Sequence, residues 1–138
     1  MRPWKLAEAN YAAVKQHRYE VAVLPLGATE PHNLHLPYAT DTLQAEVLGE
    51  KICEAAWARG AKVLLLPAIP YGTETNQRAF PFAMNLNPST LGMVVTDLVD
   101  SLSQRGVRKV VLLNGHGGND LKGLLRELYG RGGVHLFL

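Results

Sequence analysis

The chain has 138 residues, of which 47% are hydrophobic. That is enough for one buried core and too few for two comfortable ones, so residues 1–138 are expected to form a single domain. Its 14 basic and 12 acidic residues leave a formal charge of +2, with no basic run along one face, which argues against nucleic acid or an anionic membrane and for a small or neutral partner.

No charged and then apolar leader opens the chain, and no apolar stretch approaches the ~18–20 residues of a bilayer span. Cys53 is the one cysteine, so no intrachain disulfide can form. A soluble chain in reducing cytoplasm is the expectation.

In chain order, residues 4–17 (WKLAEANYAAVKQH) read as a helix. Residues 21–28 (VAVLPLGA) read as a strand buried on both faces, because the apolar run lacks alternation. The loop that follows, GATEPHNLHLPYATD, carries Glu30, His32 and Asp41. A second helix over residues 42–59 places Leu43, Val47, Leu48, Ile52, Ala55 and Ala56 at helical spacing, with Gly60 as its stop. KVLLLPAIP supplies a second strand ending at Pro67. The connection over residues 70–87 is far longer than the usual ~2–6 residues, which marks a functional loop. Pro88, Ser89 and Thr90 open a third helix that runs through Gln104 to Gly106, and KVVLLN is the third strand. It empties into NGHGGN, where glycines flank His116 and let backbone and ligand approach closely. A fourth helix over about residues 120–129 leads to VHLFL, a final strand inside which the chain stops.

The pattern is βαβαβαβ with an extra leading helix. Helices between buried strands imply right-handed crossovers and a parallel sheet covered on both faces. Ligands of such sheets collect beyond the carboxyl ends of the strands. The loops holding Glu30, His32 and Asp41, the 71–82 loop and the 114–119 loop therefore share one edge, and His116 can join the first three residues. Carboxylates and imidazoles are the ligands of hard or borderline divalent metals, so these four residues predict a metal site.

Each candidate has a plainer reading. Asp41 could cap the helix that begins beside it. His35 could pack or bond within its loop, His17 sits on a helix surface, and His135 lies inside the last strand. Met84, Met93 and the Leu/Val stripe of the third helix are core, and Cys53 is a small helix-facing residue. NGHGGN could be a phosphate loop, but Asp120 stands where a dinucleotide fingerprint needs its third glycine and no GK[ST] follows. Ser89, Ser101 and Ser103 lie in or beside a helix and Cys53 is mid-helix, so no protein nucleophile is indicated.

The run GATE-x-H-x-x-HLP-x-x-x-DT and the later LLNGHGGN resemble the two most distinctive motifs of the creatininase (creatinine amidohydrolase) family. That resemblance implies a three-layer α/β/α fold with a mainly parallel sheet, a dinuclear centre of zinc, manganese or iron, a homo-oligomeric ring, and hydrolysis of non-peptide C–N bonds in cyclic amides or formamides. By the same resemblance Glu30, Asp41 and His116 are the catalytic group and hold one metal, while His32 and Asp41 hold the other, with Asp41 bridging. Pro31, Asn33 and Leu34 replace the family's usual Gln, Gly and Pro and are read as changes of loop shape. Creatininase proper has a second-metal glutamate two residues after the later histidine; here that position is Gly118, which argues against creatinine as substrate. The resemblance covers the front half of the family's domain and implies a truncated form, whose missing acidic ligand and acid/base group belong to the absent half. The rival expectation is a metal-binding or assembly module without turnover.

Overall fold

A computed structural model describes residues 1–138. Four strands form one sheet in the order β2-β1-β3-β4: β1 is Val21–Leu26, β2 Val63–Leu65, β3 Lys109–Asn114 and β4 His135–Phe137. Every pairing is parallel. The longest register joins β1 to β3, from Val21 opposite Lys109 to Leu26 opposite Asn114. Helices α2 (Thr40–Ala58), α3 (Pro88–Ser103) and α4 (Lys122–Glu127) follow β1, β2 and β3. No helix is long and apolar enough to cross a membrane.

Successive strand residues face opposite sides, and two cores result. Ala22, Leu24 and Leu26 of β1 join Val110 and Leu112 of β3 and a stripe of α3, Leu91, Val95 and Val99. Val23, Val63 and Leu65 join Cys53 of α2 and Trp4 on the other face. The sheet is thus sandwiched between helical layers, as the uninterrupted apolar strands predict. Leu24 is 1% exposed at the centre of the larger cluster. Leu24→Ala should therefore destabilise the chain by about 2–5 kcal/mol, read from urea unfolding. A loss well under ~1 kcal/mol would place the core elsewhere.

Several elements depart from the sequence-based expectation. The leading helix over residues 4–17 does not form. Trp4 is buried against the α2 side of the sheet, and its carbonyl accepts the Leu65 amide at 2.7 Å, so it cannot serve a helical turn. Lys5 is extended and bridges Leu65. Arg2 and Lys5 pair with Glu50 of α2 at 2.7 and 2.5 Å, anchoring this segment. A 3-10 turn covers Leu6–Glu8, and helix α1 is one turn, Tyr11–Val14, because the Asn10 side chain starts it anew by accepting the Ala13 amide at 2.9 Å.

Helix α2 also turns the unexpected face inward. Ala45, Gly49 and Cys53 are buried, whereas Leu43, Val47, Leu48 and Ile52 are about half exposed. A Cβ on Gly49 would come within 2.8 Å of the Leu65 side chain; the helix packs so tightly on the sheet that only small residues fit beneath it. Met93 and Met84, expected in the core, are 61% and 49% exposed. Helix α4 is shorter than residues 120–129 because the Asp120 carboxylate accepts the Lys122 amide just before it. His135 sits exposed on the edge strand, and His17 is exposed beside the Trp57 ring.

Candidate metal centre

Glu30, His32, Asp41 and His116 meet at the carboxyl end of β1 and β3. Three backbone features bring them there. The β1 exit lies against the first turn of α2, where the Thr42 hydroxyl donates to the Ala28 carbonyl at 3.2 Å. The His32–Leu36 bridge closes a tight turn with Asn33 at φ +57°, which returns His32 to the sheet edge and leaves His35 exposed at the tip. The Asn119 side chain ties three loops together: its amide donates to Asn114 at 3.0 Å and to the Gly27 carbonyl at 3.4 Å, and its oxygen accepts the Thr73 amide at 2.9 Å.

Asp41 is not a cap. It lies inside the first turn of α2, whose cap residue is Ala39, and its two oxygens serve two histidines. Oδ1 is 2.9 Å from His32 Nε2, and Oδ2 is 2.8 Å from His116 Nδ1. Glu30 Oε1 stands 3.1 Å from the same His116 nitrogen and 3.9 Å from His32 Nε2. The helix N-terminus favours a carboxylate at this place.

Both imidazoles are fixed by their outer nitrogens. A carbonyl oxygen only accepts, so His32 Nδ1 donates to the Glu30 carbonyl at 3.1 Å and His116 Nε2 to the Thr73 carbonyl at 3.0 Å. The inner nitrogens then point at carboxylate oxygens, an arrangement that calls for a positive centre between them. This is how a metal-ligating imidazole is oriented by a backbone partner. Glu30, His32 and Asp41 each place a donor atom within 4.8 Å of the others, close enough to share one ion. Burial opposes protonation of His32, but the Glu30 carbonyl and the Asp41 carboxylate outweigh it and raise the imidazole above its usual range. Carboxylates lining the centre are the wrong charge for phosphate, which disposes of the nucleotide alternative for NGHGGN.

The creatininase family model, described as creatinine amidohydrolase, matches residues 6–137. The chain belongs to the creatininase family. It is 32% identical over 123 residues to the creatinine amidohydrolase of Pseudomonas putida, an overlap of 86% of this chain and 44% of that one. It is 31% identical over 122 residues to a mycofactocin precursor peptide peptidase of Mycobacterium ulcerans (strain Agy99), covering 80% and 46%. The chain thus spans less than half the length of these curated relatives. A creatininase-family structure from Bacteroides fragilis NCTC 9343 matches with a TM-score of 0.88 and 35% identity, over 99% of this chain and 56% of that one. A manganese form of creatininase gives 0.76 at 27% identity, over 99% and 57%.

Two residues beside this candidate centre escaped the sequence. Gln77, in a 3-10 turn of the long β2–α3 loop, donates to Glu30 Oε2 at 2.5 Å and orients that carboxylate. Glu74 is 0% exposed, and neither of its carboxylate oxygens has a hydrogen-bond partner. Burial first, and then the neighbouring Glu30 carboxylate, push its carboxyl above the usual range. The Thr29 amide favours its charged form from outside hydrogen-bonding geometry. The available signal was that Glu74 is the sole acid in a loop already too long for a simple connection.

Proposed function

We propose that residues 1–138 form the metal-holding front unit of a creatininase-family amidohydrolase that hydrolyses a non-peptide C–N bond in a cyclic amide or formamide. The observation that carries this reading is the division of Asp41, one carboxylate oxygen toward each of two histidines. It supports a centre for two divalent ions, with Glu30, Asp41 and His116 at one and His32 and Asp41 at the other. The orphaned Glu74 carboxylate, on which the charges of Glu30, His116 and Asp41 act, is a further mark of a fit to cations. Zinc and manganese are favoured by the relatives, which include a manganese and a Zn-Zn form, and iron is compatible with the same ligands.

A divalent ion bound here would supply carbonyl polarisation and a water whose pKa falls from 15.7 to about 7. The chain's own residues do the rest. Gln77 holds Glu30 in place, the Thr73 and Glu30 carbonyls hold the imidazoles, and Asn119 locks the three loops at fixed spacing. No protein nucleophile stands in the cluster. The relatives' names cover creatinine and a precursor peptide; Gly118 removes the glutamate of creatininase proper, so creatinine should be a poor substrate. The exposed α2 stripe of Leu43, Val47, Leu48 and Ile52 supports assembly with further copies in a homo-oligomer.

The second reading, a metal-binding or assembly module without turnover, is favoured by Gly118, which stands where creatininase proper has a second-metal glutamate. A panel of formamides, lactams, creatinine and a short peptide separates the two. The enzyme should release amine from formamides or lactams, lose activity to a chelator and regain it with zinc or manganese. A relative that keeps a positioned general acid should be faster by about 10²–10⁴-fold. Amine release no faster than in Glu30→Gln for every compound would leave the module.

A further inference from the structure

We propose that Glu74 is a ligand of the second divalent ion, supplied by the β2–α3 loop. The proposal rests on the two-ion reading of the centre and adds a ligand to it. Its starting point is an imbalance among hydrogen bonds. A buried carboxylate without a partner is costly, and native structures rarely keep one unless an ion, a water or a function accounts for it. Glu74 is wholly buried and both its oxygens are orphaned.

No neutral donor reaches either carboxylate oxygen in hydrogen-bonding geometry; the Thr29 amide acts on Glu74 only from outside it. Gln77 gives its amide to Glu30, Asn119 gives its amide to Asn114 and Gly27, and the Thr29 hydroxyl donates to the Pro70 carbonyl at 2.7 Å. Asn85 spends its oxygen on the Glu74 backbone amide at 2.8 Å, which fixes the loop but leaves the side chain untouched. The charged groups that act on Glu74 are Glu30, Asp41 and His116, the residues of the candidate centre. Three buried carboxylates, those of Glu74, Glu30 and Asp41, therefore face the His116 imidazole, an excess of negative charge that divalent cations balance.

The opposite wall of the centre explains why the ligand comes from this loop. A Cβ on Gly118 would collide with the Thr73 carbonyl oxygen and with the His116 ring. Position 118 is closed to any side chain by the residue that precedes Glu74. The Thr73–Glu74 segment thus does two things at once: its carbonyl holds His116 Nε2, and its next side chain brings a carboxylate to the place that position 118 cannot serve.

Zinc binding to the full chain, followed by elemental analysis and calorimetric titration, tests the assignment. Wild type should bind two zinc ions. The isosteric Glu74→Gln should keep the fold by circular dichroism and hold one, with the weaker site losing at least about 100-fold in affinity. Glu54→Gln, on the exposed face of α2, should keep both. The visible spectrum of the cobalt-loaded chain should change in Glu74→Gln and not in Glu54→Gln. Two zinc ions at wild-type affinity in Glu74→Gln, or equal single occupancy in both proteins, would overturn the proposal. Two ions in wild type and one in Glu74→Gln, with no amide turned over by wild type, would sustain the ligand while removing the amidohydrolase reading.

Discussion

Asp41→Ala should empty the centre. Its two oxygens face two different imidazoles, so truncation removes a ligand from both proposed ion positions at once and leaves His116 with Glu30 as its one remaining carboxylate partner. Loss of a residue that merely supports a ligand costs about 10–100-fold in metal affinity, and loss of a shared ligand should exceed about 100-fold. His116→Ala should act on one position only, since His32 keeps its contacts to Glu30 and Asp41. Elemental analysis after desalting reads both outcomes, with circular dichroism to confirm that the variants fold. His17→Ala, exposed beside Trp57, should change nothing. Wild-type occupancy in Asp41→Ala and His116→Ala would remove the centre from these residues.

Gly27→Ala should be among the most destabilising single-methyl additions in the chain. A Cβ there would lie 2.5 Å from the Thr42 Cα and 2.7 Å from the Thr42 amide nitrogen. Both are backbone atoms, so no rotamer change relieves the clash. Helix α2 would have to move away from the sheet as a body, which opens the close packing of Ala45, Gly49 and Cys53 and carries Asp41 out of reach of His116. Overpacking typically costs about 1–3 kcal/mol and occasionally more, and a backbone-on-backbone collision belongs at the upper end. For a chain of this length that lowers Tm by roughly 10 °C. An unchanged melting curve would show that β1 and α2 are free to separate here, contrary to the contact described.

The positions of Glu30, His32, Asp41 and His116 were legible because they depend on one rule, that loops leaving parallel strands share an edge, and the strands announced themselves as unbroken apolar runs. The motif resemblance named the same residues independently. What stayed hidden depends on close packing and on chain reversal. The buried face of α2 is made of Ala45, Gly49 and Cys53, and such small residues carry a weaker apolar signal than Leu43, Val47, Leu48 and Ile52, which pattern alone favours. Residues 4–17 have the composition of a helix, yet a backbone bond from Leu65 to the Trp4 carbonyl, remote in sequence, decides their conformation. Glu74 sits in a loop without periodicity; its importance lies in what it fails to bond, a property that exists only once the other loops have closed around it.

The arrangement of strands has a bearing on how the chain comes apart. β1 is flanked on both sides, and its six-residue register with β3 leads straight into the loops of the centre, whereas β4 pairs over three residues at the outer edge. Local openings draw on the segments with the fewest buried contacts, so β4 can fray without disturbing any candidate ligand. The β1–β3 pair should exchange its amides most slowly, opening only in global unfolding. Any ions bound at the candidate centre would tie their occupancy to the survival of the sheet's middle, since the free energy of binding would add to the cost of unfolding, while the edge strand can accumulate substitutions with little consequence for the centre.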